Sequence, residues 1–221
     1  MQLNNDTSLR VVLATQDMAW VDSPQSGVRR KLLARDGGEV ARATSLVAYA
    51  PGASFTSHHH DLGEEILVLE GGLQDEHGAY GPGTYLKNPP GSSHAPRSDS
   101  GCLLFVKLRH LAPTDTERVV LDTRTAIWRP GLVEGLTVLP LSSHGTEHTA
   151  LVRWAPQTHF SAHRHWGGEE ILVMDGVFED EHGSYPAGTW LRSPHLSEHR
   201  PFSTAGCTLF VKTGHLRTDI A

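Results

Sequence analysis

Eight residues of this chain have the types and spacing to hold metal ions. His58, His60, Glu64 and His94 form one set, and His163, His165, Glu169 and His199 repeat it with the same internal spacing. Imidazole and carboxylate donors suit Zn, Fe, Ni, Mn or Cu, whose order of affinity is set mainly by the metal. Tetrahedral zinc held by all four side chains would be closed, hence structural or regulatory. On an octahedral ion, four ligands leave two positions for a substrate and dioxygen. Three neutral imidazoles and one carboxylate leave M²⁺ a net charge of about +1, enough to polarise a bound enolate. No second acid–base pair and no Ser/His/Asp set is evident, so the catalytic residues are not assigned and any chemistry is expected to run through the metal.

The elements that must position these residues are short strands. Residues i and i+2 of a strand share a face, so His58 and His60 are expected to look inward and His59 outward. Asp61-Leu62-Gly63 reads as a turn that lets Glu64 open the neighbouring strand. His94, after Pro89-Pro90-Gly91, must come from a third segment. Around them the pattern is β: 45–49, 65–69, 84–87 and 103–108 in the first half, and 149–154, 170–174 and 208–212 in the second. These runs are rich in branched or aromatic residues and separated by Gly/Pro turns, which indicates a sandwich or barrel.

The halves are copies. Gly63-Glu64-Glu65-Ile66-Leu67-Val68 returns as Gly168-Glu169-Glu170-Ile171-Leu172-Val173, Asp75-Glu76-His77-Gly78 as Asp180-Glu181-His182-Gly183, and Gly101-Cys102 as Gly206-Cys207. Each shift is 105 residues. Upstream, Trp20 and Gly27 answer Trp128 and Gly135. Two domains are therefore expected, 1–112 and 113–221, joined at the polar turn Ala112-Pro113-Thr114-Asp115.

Composition narrows the rest. Of 221 residues, 38% are hydrophobic and 20% charged, as in an ordinary globular protein, and a net charge of −6 offers no basic stripe to a phosphate backbone. No signal peptide is visible, and the longest apolar runs are too short to span a bilayer. The expected location is the cytoplasm. The expected partner is a small molecule, with a homodimer as an option, and neither nucleic acid nor membrane. Cys102 and Cys207 precede apolar strands and read as buried packing. His77 and His182 read as a solvated hairpin, Arg97 as a surface residue, His144, His148 and His159 as exposed loop residues, and Trp20 and Trp128 as packing for each N-terminal strand.

The motifs resemble those of the cupin family. Its first motif, Gly-x5-His-x-His-x3-Glu-x6-Gly, fits Gly52, His58, His60, Glu64 and Gly71. Its second, Gly-x5-Pro-x-Gly-x2-His-x3-Asn, fits Gly83, Pro89, Gly91 and His94, with Ser98 for the asparagine. The second copy keeps His163, His165, Glu169, Gly176, Gly188, Pro194 and His199. It has Gln157 and Leu196 at expected glycines and Ser203 for the asparagine. The surrounding Gly-Glu-Glu-Ile-Leu-Val and Asp-Glu-His-Gly text is similar to the cupin domain of ChrR-type anti-sigma factors. The resemblance implies two tandem all-β jelly-roll barrels, each with one divalent metal, zinc first and Fe, Ni or Mn as alternatives. It implies a metal-binding regulatory or sensor role without the sigma-binding zinc domain. The alternatives are a metal(II)-dependent dioxygenase cleaving a diketone- or hydroxyketone-like molecule, and a small-ligand binding protein. If the chain is an oxygenase, the first copy is the expected active one, since Leu196 and Trp166 would narrow the second pocket's mouth.

Overall fold

The structure is a computed structural model that describes residues 1–216; positions 217–221 of the expected second domain lie outside the described residues. The regular secondary structure is almost entirely antiparallel strand. A 3₁₀ turn at Thr15–Asp17 is the one helical element among the described residues, and no helix there is long and apolar enough to cross a membrane. The expected strands all form, inside the slightly longer Ala41–Tyr49, Glu64–Gly71, Thr84–Asn88, Cys102–Leu108, Glu147–Trp154, Glu169–Asp180 and Cys207–Thr213.

Two compact units result, and each is a jelly-roll-like barrel. In the first, the large sheet runs in the order Gln2–Leu3, Val28–Gly37, Ala41–Tyr49, Cys102–Leu108, Glu64–Gly71, Thr84–Asn88, Val119–Asp122. A small sheet of Gly78–Tyr80, Leu73–Asp75, Arg97–Ser98 and Ala53–Ser54, together with the ribbon of His58–His60 against Ser92–His94, completes it. Inward side chains from these strands, among them Val28, Tyr49, Ile66, Val68, Leu104 and Val106, make the core. The second unit repeats the plan around Leu136, Trp154, Ile171, Val173, Phe178 and Leu209.

The units depart from the sequence copies at two segments. Asp6–Asp17 belongs to the second unit, and the first unit continues to Ala126. Strand Val11–Ala14 pairs with Thr189–Ser193, from Val11 on Arg192 to Ala14 on Thr189. Reciprocally, Val119–Asp122 pairs with Thr84–Asn88, from Lys87 on Val119 to Thr84 on Asp122. The physical reason is edge coverage. Thr84–Asn88 and Thr189–Ser193 would otherwise present a row of unpaired N–H and C=O groups. Side chains fix both exchanges: Thr15 Oγ1 donates to Gly188 O at 2.6 Å, and Lys87 Nζ meets Asp115 Oδ1 at 2.8 Å with both groups buried.

Candidate metal centres

Strand pairing brings the first set together. In the ribbon, His94 is the register partner of His58, and Ser92 of His60. His58 and His60 therefore share a face, and His94 joins it from the neighbouring strand, while His59 is exposed. The three imidazoles pack edge to edge, with centroids 4.8, 5.1 and 5.0 Å apart. Glu64 opens its strand after the turn closed by Gly63 N–H donating to His60 O at 3.1 Å. Its Oε2 lies 3.5 Å from His60 Nε2 and 3.4 Å from His94 Nε2. The second set repeats this, with centroids 4.6, 4.8 and 4.9 Å apart. Glu169 Oε2 is 3.5 Å from His165 Nε2 and 3.8 Å from His199 Nε2.

The three histidines of each set are placed to hold one divalent ion, with donor atoms all within 4.8 Å of one another, and the glutamate stands beside two of them. Donors bound at about 2.1 Å stand about 3.0 Å apart at a right angle and about 3.4 Å apart at the tetrahedral angle. His60 Nε2, His94 Nε2 and Glu169 Oε2 are buried with no hydrogen-bond partner, a costly state unless another group satisfies them. The central histidine of each set is held in the form that ligates, whereas each buried glutamate ionises readily only with a cation beside it. Burial, then His58, pulls His60 down to about 4, and burial, then His199 and His163, pulls His165 down to about 3, so both imidazoles are neutral. Burial raises Glu64, and raises Glu169 to about 7. The second-nitrogen contacts set the tautomers. His58 Nδ1–H donates to Thr56 O at 2.9 Å and His163 Nδ1–H to Ser161 O at 3.0 Å, which leaves each Nε2 lone pair free.

A layer behind these residues is not singled out by the sequence reading. Asn88 Nδ2 donates to Glu64 Oε2 at 3.1 Å; the second copy has Ser193 there. Asp75 heads the Asp-Glu-His-Gly turn yet is buried, with Oδ2 at 3.2 Å from His94 Nδ1. Burial opposes its ionisation, but hydrogen bonds from Tyr80, the His77 N–H and His94 outweigh that and hold it below the usual range. Asp180 is likewise held at about 2 against burial, by His199, Tyr185 and the His182 N–H. The available signal was that Asp75 and Tyr80 recur as Asp180 and Tyr185.

The remaining expectations separate. His77 and His182 are exposed, and Arg97 is exposed beside Asp99. Cys102 and Cys207 are buried, and burial raises both thiols, Cys207 to about 11. Trp20 and Trp128 are half-buried beneath cations: Lys31 Nζ lies 4.9 Å from the Trp20 ring, and Arg153 lies 3.8 Å from the Trp128 ring.

The two cavities differ. The first barrel holds about 540 Å³, bounded by His58, His60, Glu64 and His94 and otherwise mostly by apolar side chains such as Tyr49 and Leu73. The second holds about 120 Å³. The expected cause was Trp166 and Leu196, and the structure corrects it. Both are exposed, at 62% and 48%, and neither lines the cavity. The space is taken by Trp154 and Phe178, which pack edge to face at 5.9 Å in the places of Tyr49 and Leu73.

Comparison with known proteins follows the same division. The ChrR Cupin-like domain matches the sequence twice, over residues 8–112 and 116–217. Against curated protein sequences no match is found. Among solved structures, a proposed dioxygenase from Nostoc punctiforme superposes with a TM-score of 0.79 at 14% identity, covering 97% of this chain and 85% of that one. The Ylba protein from E. coli gives 0.74 at 15% identity, covering 98% and 95%. A single-residue variant of oxalate decarboxylase from Bacillus subtilis gives 0.59 at 14%, covering 93% and 77%. At these identities the likeness is one of fold.

Proposed function

The chain belongs to the ChrR Cupin-like family, and from that premise we propose that its first barrel is the working half of a metal(II)-dependent dioxygenase, while its second barrel holds a metal for structure or regulation. The substrate class is a small oxygen-chelating molecule with short hydrocarbon groups, such as a β-dicarbonyl or hydroxyketone. One observation carries this reading: the first ligand set opens onto a roomy, mostly apolar cavity, and the second does not. Small-molecule sites are typically concave, apolar and furnished with a few convergent polar groups.

His58, His60, Glu64 and His94 would hold the ion, which supplies Lewis-acid polarisation of the substrate oxygens and a place for dioxygen. The chain's own groups bind and orient. The walls from Val47, Phe55, Ile66, Leu104 and Val106 take the hydrocarbon part and exclude water. Tyr49 lines the same cavity, and burial, then the charge of Glu64, raises its phenol, so it stays protonated and can donate to a substrate oxygen. Asn88 anchors Glu64. In the net reaction one carbon–carbon bond breaks and both atoms of O₂ enter the products, a carboxylic acid and an α-ketoaldehyde from a β-diketone, so no other oxidant is needed.

The test is oxygen uptake, with product analysis, by protein loaded with Fe(II), Mn(II), Ni(II) or Zn(II) and offered β-dicarbonyl and hydroxyketone substrates. Turnover that survives His165→Ala and disappears in His60→Ala supports the reading. Absence of turnover with every metal favours the regulatory alternative, for which the small second cavity is the supporting observation.

A further inference from the structure

Behind the third histidine of each barrel runs a chain of polar contacts that begins on an exchanged segment, hydrogen-bonded throughout in the first barrel and ending on a longer contact in the second. In the first unit, Arg118 Nη2 donates to the Tyr80 hydroxyl at 3.1 Å, and that hydroxyl donates to Asp75 Oδ1 at 2.8 Å. Asp75 Oδ2 then faces His94 Nδ1 at 3.2 Å. In the second, Arg10 Nη2 donates to the Tyr185 hydroxyl at 2.6 Å and reaches Asp180 Oδ2 at 3.4 Å. Tyr185 donates to Asp180 Oδ1 at 2.7 Å, and Asp180 Oδ2 stands 3.7 Å from His199 Nδ1. Arg118 immediately precedes the strand Val119–Asp122, and Arg10 precedes Val11–Ala14. Each arginine therefore belongs by sequence to one copy and by contact to the other copy's barrel.

The polarity of the chain is forced. A guanidinium only donates, so the tyrosine oxygen must accept from it, and the tyrosine's single proton goes to the aspartate. Asp75 Oδ1 also accepts from the backbone N–H groups of His77 and Gly78, at 2.8 and 3.1 Å. That leaves Oδ2 for His94. An ionised aspartate only accepts, so His94 carries its proton on Nδ1 and turns a bare Nε2 toward His60 and Glu64. Outer-shell partners of this kind fix a ligand's tautomer and ring orientation, and losing one costs about 10–100-fold in metal affinity.

We infer that Arg118 and Arg10 are positioning residues for the metal sites, and that they act crosswise: Arg118, from the second sequence copy, on the site of His58, His60, Glu64 and His94, and Arg10, from the first, on the site of His163, His165, Glu169 and His199. The inference rests on reading the four-residue sets as metal sites. Arg10 grips both Tyr185 and Asp180, while Arg118 touches Tyr80 and is linked to its histidine by the shorter final contact.

The experiment isolates one site at a time in the full chain. His165→Ala leaves the first site and His60→Ala leaves the second, and Zn²⁺ affinity is measured by competition with a chromophoric chelator. Arg118→Gln in the His165→Ala background is expected to weaken zinc about tenfold and to change nothing in the His60→Ala background; Arg10→Gln gives the opposite pattern. Arg118→Lys, which keeps a donor, recovers part of the loss, and Tyr80→Phe reproduces it if Arg118→Gln folds poorly. ¹⁵N shifts of the His94 imidazole provide a readout that general destabilisation does not move: the metal-free protein shows one Nδ1–H tautomer, and Arg118→Gln shows a mixture. Equal losses at both sites, unchanged affinities, or an unmoved tautomer overturn the crosswise assignment. Zinc bound at neither site in the parent variants would instead overturn the metal reading beneath it.

Discussion

The two barrels carry nearly the same ligand geometry around very different spaces. Histidine centroids differ by a few tenths of an ångström between the copies, and the glutamate stands within 3.8 Å of two imidazoles in both. Yet one cavity is about 540 Å³ and the other about 120 Å³. The ligand set depends on backbone: a two-stranded ribbon, a three-residue turn and the first residue of the next strand. The cavity depends on side chains, and Trp154 and Phe178 suffice to fill it. A duplicated barrel can thus lose its room without disturbing its donors.

The most direct way to break the comparison is to remove one donor from each barrel. The wild-type chain should carry two metal equivalents. His60→Ala and His165→Ala should each carry one, measured by elemental analysis of protein prepared without added metal and again after loading. Each donor set lies within one compact unit, so the losses should be independent. A single equivalent in the wild type at full supplementation would show that the second set, despite its geometry, binds nothing.

Exchanging the cavity residues sharpens the contrast. Tyr49→Trp with Leu73→Phe should abolish small-ligand binding in the first barrel and leave its metal in place. Trp154→Tyr with Phe178→Leu should open the second cavity, at a cost of about 1–3 kcal/mol for the space created. Ligand titration and elemental analysis on the same samples separate the two effects. Retained ligand binding in the filled first barrel would place the ligand elsewhere.

Metal removal gives a smaller effect shared by both halves. Ligand sets of this kind rarely persist unfolded, so bound metal adds to folding stability. At 100-fold excess over Kd one site contributes about 2.7 kcal/mol, or roughly 5–10 °C of Tm for a chain of this size. Scanning calorimetry with and without chelator measures it. A midpoint unmoved after verified metal loss would show barrels held by their cores alone.

How much of this was legible in the sequence follows the same division between backbone and side chain. The pairing of His58 with His60 follows from strand periodicity, and the turn before Glu64 follows from its glycine. The strands were legible because branched residues alternate with Gly/Pro turns. The exchanged edge strands were not, because Val11-Val12-Leu13-Ala14 and Val119-Val120-Leu121-Asp122 are alike enough to pair with either sheet. Asp75 was hidden by its setting, since Asp-Glu-His-Gly has the composition of a solvated turn while its first residue points inward. The cavity was hidden by conservatism: tryptophan for tyrosine and phenylalanine for leucine keep the pattern and change only the volume.

The finest distinction between the copies lies at the two motif glycines. Gly52 and Gly91 have φ of +79° and +81°, and their counterparts Gln157 and Leu196 keep the turns at +63° and +61°. The backbone holds its left-handed conformation with a side chain attached. Space permits it, because a Cβ at Gly52 or Gly91 would meet no atom within 4 Å. What remains is the intrinsic cost of the left-handed region, about 1–2 kcal/mol for a residue with a Cβ. Glycine gives back about 0.5–1 kcal/mol of that through its greater unfolded-state freedom. Leu196→Gly should therefore stabilise the protein slightly, by about 0.5 kcal/mol or roughly 1–2 °C, with both metals retained. Gly71→Ala should behave differently, since its Cβ would collide with the Gly101 carbonyl; it should lower Tm well beyond any change at residue 196. Paired melting curves measure both, and a Leu196→Gly protein that melts several degrees lower would mean that the leucine makes a contact the turn depends on.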